Sequence, residues 1–141
     1  MSPTTPAQNV ALMRRFITDL QQNGDFTLVN EFFRDDFVNH TALPRMPTGR
    51  EGVHNLLRYL HSALSEIQIE VVHCICEGNV VATTKVLRGK QVGEFFGRGV
   101  PESTGSGGPS GRIEMLVMDF MEVVEGRFGG HWATVGPVKD I

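Results

Sequence analysis

The segment Ile113–Val123 constrains the fold more than any other part of the chain, because it reads as a strand with one buried face. Side chains alternate along a strand, so every second residue faces the same side. Five of the six residues on one side are apolar and the sixth is acidic: Ile113, Met115, Val117, Asp119, Met121 and Val123. The pattern therefore predicts a sheet that buries a carboxylate on its inner face.

A buried aspartate has two interpretations. Burial disfavours the ionised form and raises the pKa of a carboxyl toward neutral pH, where the group can move protons. Alternatively, Asp119 is a structural residue held by backbone donors or by an arginine. We favour the proton-transfer role, because a strand has few spare donors to hold such a group.

Size and charge narrow the class of protein. A chain of 141 residues with 40% hydrophobic and 21% charged residues is typical of one globular domain, here residues 1–141. The net charge is −3 and no basic cluster occurs, so a nucleic-acid partner is not expected. No apolar run approaches the ~20 residues that cross a bilayer, so no membrane partner is expected. The polar N-terminus is no secretory signal, and we predict a cytoplasmic protein.

Three helices are predicted in the first half of the chain. Apolar residues at three- and four-residue spacing indicate helices over residues 7–22 and 50–64. A short helix between them starts after Asp25, with four residues on its inner side: Phe26, Val29, Phe32 and Phe33. Residues 1–6 are predicted to be a disordered tail.

The second half is strand-like. Alternating segments over residues 67–76 and 80–88 predict a hairpin, and strands over 113–123 and 127–135 predict another. Between the hairpins, residues 98–111 are rich in Gly, Ser and Pro and are predicted to form a flexible loop, either a lid or a surface insertion. Helices followed by antiparallel strands indicate an α+β fold.

The last turn decides what lies opposite Asp119. A three-residue loop ending in Gly126 pairs Asp119 with His131 on one face. A two-residue loop shifts the register by one, places Trp132 opposite Asp119 and sends His131 to the other face. We favour the first register.

Other common types of site are not indicated. Cys74 and Cys76 supply only two metal ligands, and the five histidines show no metal-binding spacing. No nucleophile-elbow pattern and no glycine-rich dinucleotide turn are present, so a bound NAD is not expected.

Four stretches resemble the SnoaL-like polyketide cyclase family of the NTF2-like superfamily. They are Val10–Phe16 with Asn23–Asp25, Asp36–His40 with Gly49–Val53, Gly93–Gly97, and Asp119–Phe120 through Gly126 to His131–Trp132. The resemblance implies an NTF2-like cone in which three N-terminal helices pack on a curved, mostly antiparallel sheet around an apolar cavity. It also implies a homodimer or higher homo-oligomer, formed through the outer face of the sheet, and no metal or organic cofactor.

The resemblance further implies a general acid/base aspartate at Asp119, which closes a ring of a polyketide-like, apolar or aromatic carbonyl substrate. From the residues we expect His131 to orient Asp119 or share its proton, and His40 or Tyr59 to bind an enolate oxygen. The expected walls of the cavity are Phe16, Phe33, Tyr59, Met115 and Trp132. Rival functions are an epoxide hydrolase or dehydratase of the same fold and a non-catalytic ligand-binding or dimerisation module. The resemblance implies that epoxide hydrolases of this fold carry an Asp-Arg-Asp arrangement with a close Arg-x-Asp pair. Here the residue two positions before Asp119 is Val117, so that pair is missing.

Overall fold

The computed structural model describes residues 3–99 and 111–141. Helix α1 spans Pro6–Phe16 and continues as a π-helical segment, Ile17–Gln22. A 3₁₀ turn at Phe26–Leu28 leads into the single-turn helix α2, Val29–Phe32, and helix α3 spans Arg50–Ala63. The three predicted helical regions are therefore present. Phe33, predicted inside the second helix, instead begins a strand.

The predicted disordered tail is wrong at its C-terminal end. The Thr5 hydroxyl accepts a hydrogen bond from the Gln8 backbone N–H, and the Gln8 side chain accepts one from the Thr5 N–H. This capping box, with Pro6 as the first helical residue, fixes the start of α1. The predicted loop at 98–111 lies almost entirely outside the described residues.

Within residues 3–99 and 111–141, six strands form one sheet. They are β1 Phe33–Asn39, β2 Leu64–Glu77, β3 Val80–Gln91, β4 Arg112–Val124, β5 Arg127–Val135 and β6 Lys139–Asp140. Their order is β1-β5-β4-β3-β2, and the short β6 pairs with β4. Only β1, beside β5, runs parallel to its neighbour. The helices pack on this mixed sheet, which confirms the predicted α+β architecture and NTF2-like fold.

Aromatic side chains anchor the helices to the sheet. The Phe16 ring of α1 lies 5.3 Å from that of Phe33 in β1 and 5.5 Å from that of Phe128 in β5. All three side chains are almost fully buried. Their edge-on contacts form the centre of the larger core cluster. A second cluster surrounds Phe95 and Ile113 at the other end of the sheet.

The hairpin between β4 and β5 differs from both predicted registers. Glu125 and Gly126 form a two-residue turn with φ values of 50° and 80°, the left-handed pair that tight hairpin turns use. Val124 accordingly pairs with Arg127. This is the loop of the less favoured alternative, and the predicted three-residue loop is wrong.

A β-bulge then changes the register a second time. Val123 pairs with Phe128 but Glu122 pairs with Gly130, so Gly129 is an extra residue in β5. A Cβ atom at Gly129 would lie 3.0 Å from Val124 Cγ2, which favours glycine there. Beyond the bulge, Asp119 pairs with Ala133 and Met121 pairs with His131. His131 therefore faces the same side as Asp119, two residues from the directly opposed position, and Trp132 faces the other side.

Candidate active site

An apolar cavity lies between α3 and the inner face of the sheet. The cavity has a volume of about 160 Å³ and is enclosed mainly by Phe, Leu, Ile, Val and Met side chains. The polar side chains among its walls are few: Gln21, Asn39, Tyr59, Lys85, Asp119 and His131. Such a lining suits an organic molecule with a small number of polar groups.

Asp119 and Lys85 form a buried ion pair in this cavity. Lys85 Nζ donates a hydrogen bond of 3.1 Å to Asp119 Oδ2, and each residue is only 3% exposed. Lys85 Nζ also donates to Gln21 Oε1 at 2.8 Å and lies 5.9 Å from the centroid of the Phe16 ring. A buried ion pair is maintained only where other polar groups complete its hydrogen bonds. Gln21 supplies one of these groups.

The π-helical segment places Gln21 at the ion pair. The Gln21 carbonyl, in the last turn of the segment, lies 2.8 Å from His61 Nε2 on α3. The neighbouring Gln22 side chain accepts from the Ile69 N–H of β2 at 2.9 Å. These contacts tie the segment to α3 and the sheet while the Gln21 side chain reaches Lys85. Short π-helical turns are often found at functional sites.

His131 contacts Asp119 on the same carboxylate oxygen as Lys85. Nε2 of His131 lies 3.3 Å from Asp119 Oδ2, and Nδ1 lies 3.2 Å from Asn39 Oδ1. Asn39 Oδ1 also accepts from the Thr41 N–H, so it is an acceptor and Nδ1 of His131 carries a hydrogen. His131 therefore bridges the two residues, with Nδ1 at Asn39 and Nε2 at hydrogen-bonding distance from the Asp119 carboxylate.

The two carboxylate oxygens of Asp119 differ in their hydrogen bonds, because Oδ2 contacts Lys85 and His131 and Oδ1 contacts neither. It is buried and has no hydrogen-bond partner within the described part of the protein. Buried carboxylate oxygens are normally satisfied, so an unpaired one at a cavity wall points to an interaction with a ligand.

The pKa of Asp119 is lowered, which corrects the predicted increase. Burial raises the pKa, but the positive charge of Lys85 and the hydrogen bond and charge of His131 together lower it by more. The carboxyl is therefore ionised at neutral pH and available as a base. The sequence-based prediction erred because it placed Asp119 on an apolar face without the lysine.

Most of the predicted site residues meet at the cavity. Phe16, Phe33, Tyr59 and Met115 line it together with Asp119 and His131. The Tyr59 hydroxyl lies near the mouth and accepts the Phe96 backbone N–H at 2.7 Å.

His40 and Trp132 are not at the cavity, which corrects their predicted placement. Their rings stack at 4.4 Å with an interplanar angle of 8°, and Trp132 pairs with Phe120 on the outer face of the sheet. The bulge at Gly129 turns Trp132 outward, and in β1 it is Asn39, not His40, that lines the cavity.

Sequence reasoning missed three polar residues of the site: Lys85, Gln21 and Asn39. A signal existed for Lys85, which alternates with Val81, Thr83 and Leu87 on the inner face of β3. The opposite set of β3 residues is equally apolar, so the alternation alone does not show which set is buried.

Within residues 3–99 and 111–141, no group of three or more His, Cys, Asp or Glu side chains is placed to hold a metal ion. Over the same residues, no helix has the length and apolar character that crossing a membrane requires. The expected cytoplasmic location stays a prediction.

Comparison with known proteins identifies the family. The model of the SnoaL-like polyketide cyclase family matches residues 11–136. The chain belongs to the SnoaL-like polyketide cyclase family. The predicted family resemblance is thus confirmed, and the match begins within α1 and covers α2, α3 and strands β1 to β5. No match is found among the curated proteins.

Solved structures show the same SnoaL-like fold at low sequence identity. TsrD from Streptomyces laurentii is 20% identical with a TM-score of 0.78, covering 94% of this chain and 91% of that one. IdmH from Streptomyces antibioticus, described as a candidate polyketide cyclase, is 23% identical with a TM-score of 0.68, covering 94% and 92%. An LEH-like epoxide hydrolase of M. tuberculosis is 17% identical with a TM-score of 0.66, covering 93% and 84%. At these identities the likeness supports the fold, and the reaction has to be argued from the site.

Proposed function

We propose that this SnoaL-like protein is a cyclase or isomerase that uses Asp119 as a general base and acid on an apolar carbonyl substrate. One observation carries the proposal: Asp119, whose ionised and buried carboxylate has an unpaired oxygen, Oδ1, lines an apolar cavity. In such a site a carboxylate can remove a proton from a carbon next to a carbonyl group. The family to which the chain belongs supports a small polyketide-like molecule as the substrate.

The proposed reaction returns every proton that it removes. Asp119 Oδ1 takes the proton, and the C–H electron pair moves into a new C–C double bond while the carbonyl oxygen becomes an enolate. In a cyclisation, the enolate carbon then forms a bond to a second carbonyl carbon of the same molecule. The oxygen of that second carbonyl becomes an alkoxide and takes the proton back from Asp119. The product is an isomer of the substrate and the carboxylate is restored.

His131 positions the carboxylate in this proposal. Its Nε2 contacts Oδ2, and Asn39 Oδ1 holds the other ring nitrogen. With Oδ2 occupied by His131 and Lys85, only Oδ1 is left to act on a substrate. Fixed geometry of this kind lowers the cost of reaching a reactive arrangement.

Proton exchange tests the proposal without knowledge of the natural substrate. β-Tetralone, an apolar bicyclic ketone, is incubated with the protein in D₂O, and loss of its α-hydrogen signals is followed by NMR. We expect exchange above the buffer rate that falls by about 100-fold or more in Asp119→Asn. Asp35→Asn, which removes an exposed carboxylate of β1, is the matched control and should exchange like the wild type. Equal rates in Asp119→Asn and wild type would refute a catalytic Asp119.

The rival functions differ in their expected results. A non-catalytic binding module would bind β-tetralone without accelerating exchange in any variant. For the epoxide hydrolase alternative, the likeness to the M. tuberculosis enzyme is one of fold, and here Asp119 contacts a lysine and a histidine instead of an arginine. We therefore rank it below the cyclase.

We also propose a homodimer that forms through the outer face of the sheet. A row of side chains crosses this face through Ile75, Ala82, Phe120 and Trp132, with Met118 beside it. Ile75 is 66% exposed, Phe120 52% and Met118 46%. A contiguous apolar surface of this kind usually marks an interface.

A further inference from the structure

We infer that Lys85 is a second catalytic group of this site, whose ammonium binds the carbonyl oxygen of the substrate and stabilises the enolate. This inference rests on the proposed proton removal by Asp119. It narrows the substrate class to molecules whose carbonyl oxygen and adjacent C–H group reach Lys85 Nζ and Asp119 Oδ1 together.

The hydrogen bonds of Lys85 leave room for a substrate oxygen. An ammonium group carries three donors. Two are used, one to Gln21 Oε1 and one to Asp119 Oδ2. No third acceptor is found in residues 3–99 and 111–141. One N–H of a buried cation that lines the cavity is therefore free to bind a ligand.

The position of Lys85 matches the charge that the reaction creates. Proton removal transfers the negative charge of Asp119 to the substrate oxygen. Lys85 Nζ is already 3.1 Å from Asp119 Oδ2. The negative charge therefore moves from the carboxylate beside the ammonium to a substrate oxygen that is also beside it. In a cavity with few polar groups, a fixed cation stabilises such a charge more strongly than water does.

Tyr59 is the alternative donor. Its hydroxyl accepts the Phe96 N–H and its O–H remains able to donate. However, it is neutral and no contact joins it to Asp119, whereas Lys85 is charged and contacts the base directly. The geometry therefore favours Lys85 for the enolate oxygen.

An enolate analogue tests the role of Lys85 separately from that of Asp119. β-Naphthol is the probe, because its ionised oxygen resembles an enolate and its absorption spectrum distinguishes naphtholate from naphthol. The test uses the Asp119→Asn background, in which the competing carboxylate is absent and Lys85 has no buried counter-charge. We expect Asp119→Asn to bind β-naphthol near neutral pH with a clear naphtholate spectrum.

The matched comparison is Lys85→Met/Asp119→Asn, which removes both charges of the pair and so avoids an unpaired buried ion. We expect its bound naphtholate fraction to be at least about 10-fold lower, the effect of one pKa unit on the probe. Tyr59→Phe/Asp119→Asn should keep the naphtholate signal.

Three outcomes would overturn the inference. The first is an equal bound naphtholate fraction in Asp119→Asn and Lys85→Met/Asp119→Asn, and the second is loss of the naphtholate signal in Tyr59→Phe/Asp119→Asn. The third is no binding of β-naphthol to Asp119→Asn. The tetralone exchange experiment stays independent of these results. Loss of exchange in Asp119→Asn together with a failed naphthol test would leave Asp119 as the base and remove only Lys85.

Discussion

His131 Nε2 lies 3.3 Å from Asp119 Oδ2 although the two residues are not directly opposed across β4 and β5. Asp119 pairs with Ala133, and the histidine reaches it diagonally from the position opposite Met121. Side chains at diagonal positions are farther apart than directly opposed ones, but long side chains span that gap. Ala133, directly opposite Asp119, has a small side chain and also lines the cavity.

The bulge at Gly129 should depend on the absence of a side chain. In Gly129→Val the new Cβ meets Val124 Cγ2 at 3.0 Å, so the bulge has to move or Val124 has to repack. We expect the free energy of unfolding to fall by about 1–3 kcal/mol relative to Gly136→Val, whose nearest contact is an ordinary 3.6 Å. Urea denaturation measures both variants. Equal stability would show that the bulge tolerates a side chain.

Replacing Lys85 alone should lower the free energy of unfolding more than replacing both Lys85 and Asp119. Lys85→Met leaves a buried carboxylate whose remaining side-chain contact is His131, and we expect a loss of about 3 kcal/mol in unfolding free energy. The double variant Lys85→Met/Asp119→Asn should recover most of that loss, since no buried ion is left unpaired. Thermal and urea unfolding test this cycle. A double variant that is less stable than Lys85→Met would contradict the arrangement of charges described above.

The lowered pKa of Asp119 predicts how stability changes in acid. In the unfolded chain the carboxyl has a pKa of about 3.9, and in the folded protein the value is lower. Its ionised form therefore stabilises the fold above the unfolded pKa, and this contribution is lost as the pH falls through the folded pKa.

We accordingly expect the unfolding free energy of wild type minus that of Asp119→Asn to be largest near neutral pH and to shrink below about pH 4. The same difference for Asp35→Asn should change much less. If the difference between wild type and Asp119→Asn grew as the pH fell, the pKa of the Asp119 carboxyl would be raised in the folded protein and not lowered.

Asn39 should control the tautomer and orientation of His131. Asn39→Leu removes the acceptor of the Nδ1–H, so the ring loses the contact that holds its far side. We expect a drop of about 10-fold in tetralone exchange, in line with the loss of orientation of a catalytic group. The ¹⁵N chemical shifts of the His131 ring should change as well. Unchanged shifts would show that Asn39 does not set the protonation of His131.

The outer face should control assembly. Phe120→Glu places a charge in the centre of the exposed apolar row and should convert a dimer to a monomer, measured by analytical ultracentrifugation. Ala11→Glu adds the same charge at an exposed position of α1 and should leave the dimer intact. A wild-type protein that is monomeric at all concentrations would refute the proposed dimer.

The sequence predicted the main helices and strands, but it did not predict how β4 and β5 pair. Period-two alternation predicted a strand over 113–123, observed as β4 at Arg112–Val124, because alternation reports which residues share a face. A bulge adds one residue without altering the apolar pattern on either side of it. The prediction that Asp119 and His131 share a face therefore agrees with the structure, while the pairing on which it rested is wrong.

The ion pair could not be predicted for a different reason. The two faces of β3, one carrying Lys85 and the other Val86, both contain apolar residues. The sequence pattern therefore does not show which face is buried, because that depends on how the strand packs in three dimensions. Without the lysine, the sign of the pKa change at Asp119 was reversed. Gln21 was inaccessible to pattern analysis as well, since the switch from α- to π-helical turns is not visible in apolar spacing.

The extra residue at Gly129 also offers a counting rule for relatives of this protein. In an unbroken strand after this turn, residues at even separations from the turn glycine would face the interior, whereas His131 stands at an odd separation from Gly126 and faces the interior because of the bulge. A homologue with the same turn and an odd separation therefore needs a bulge of its own to keep a histidine beside its aspartate.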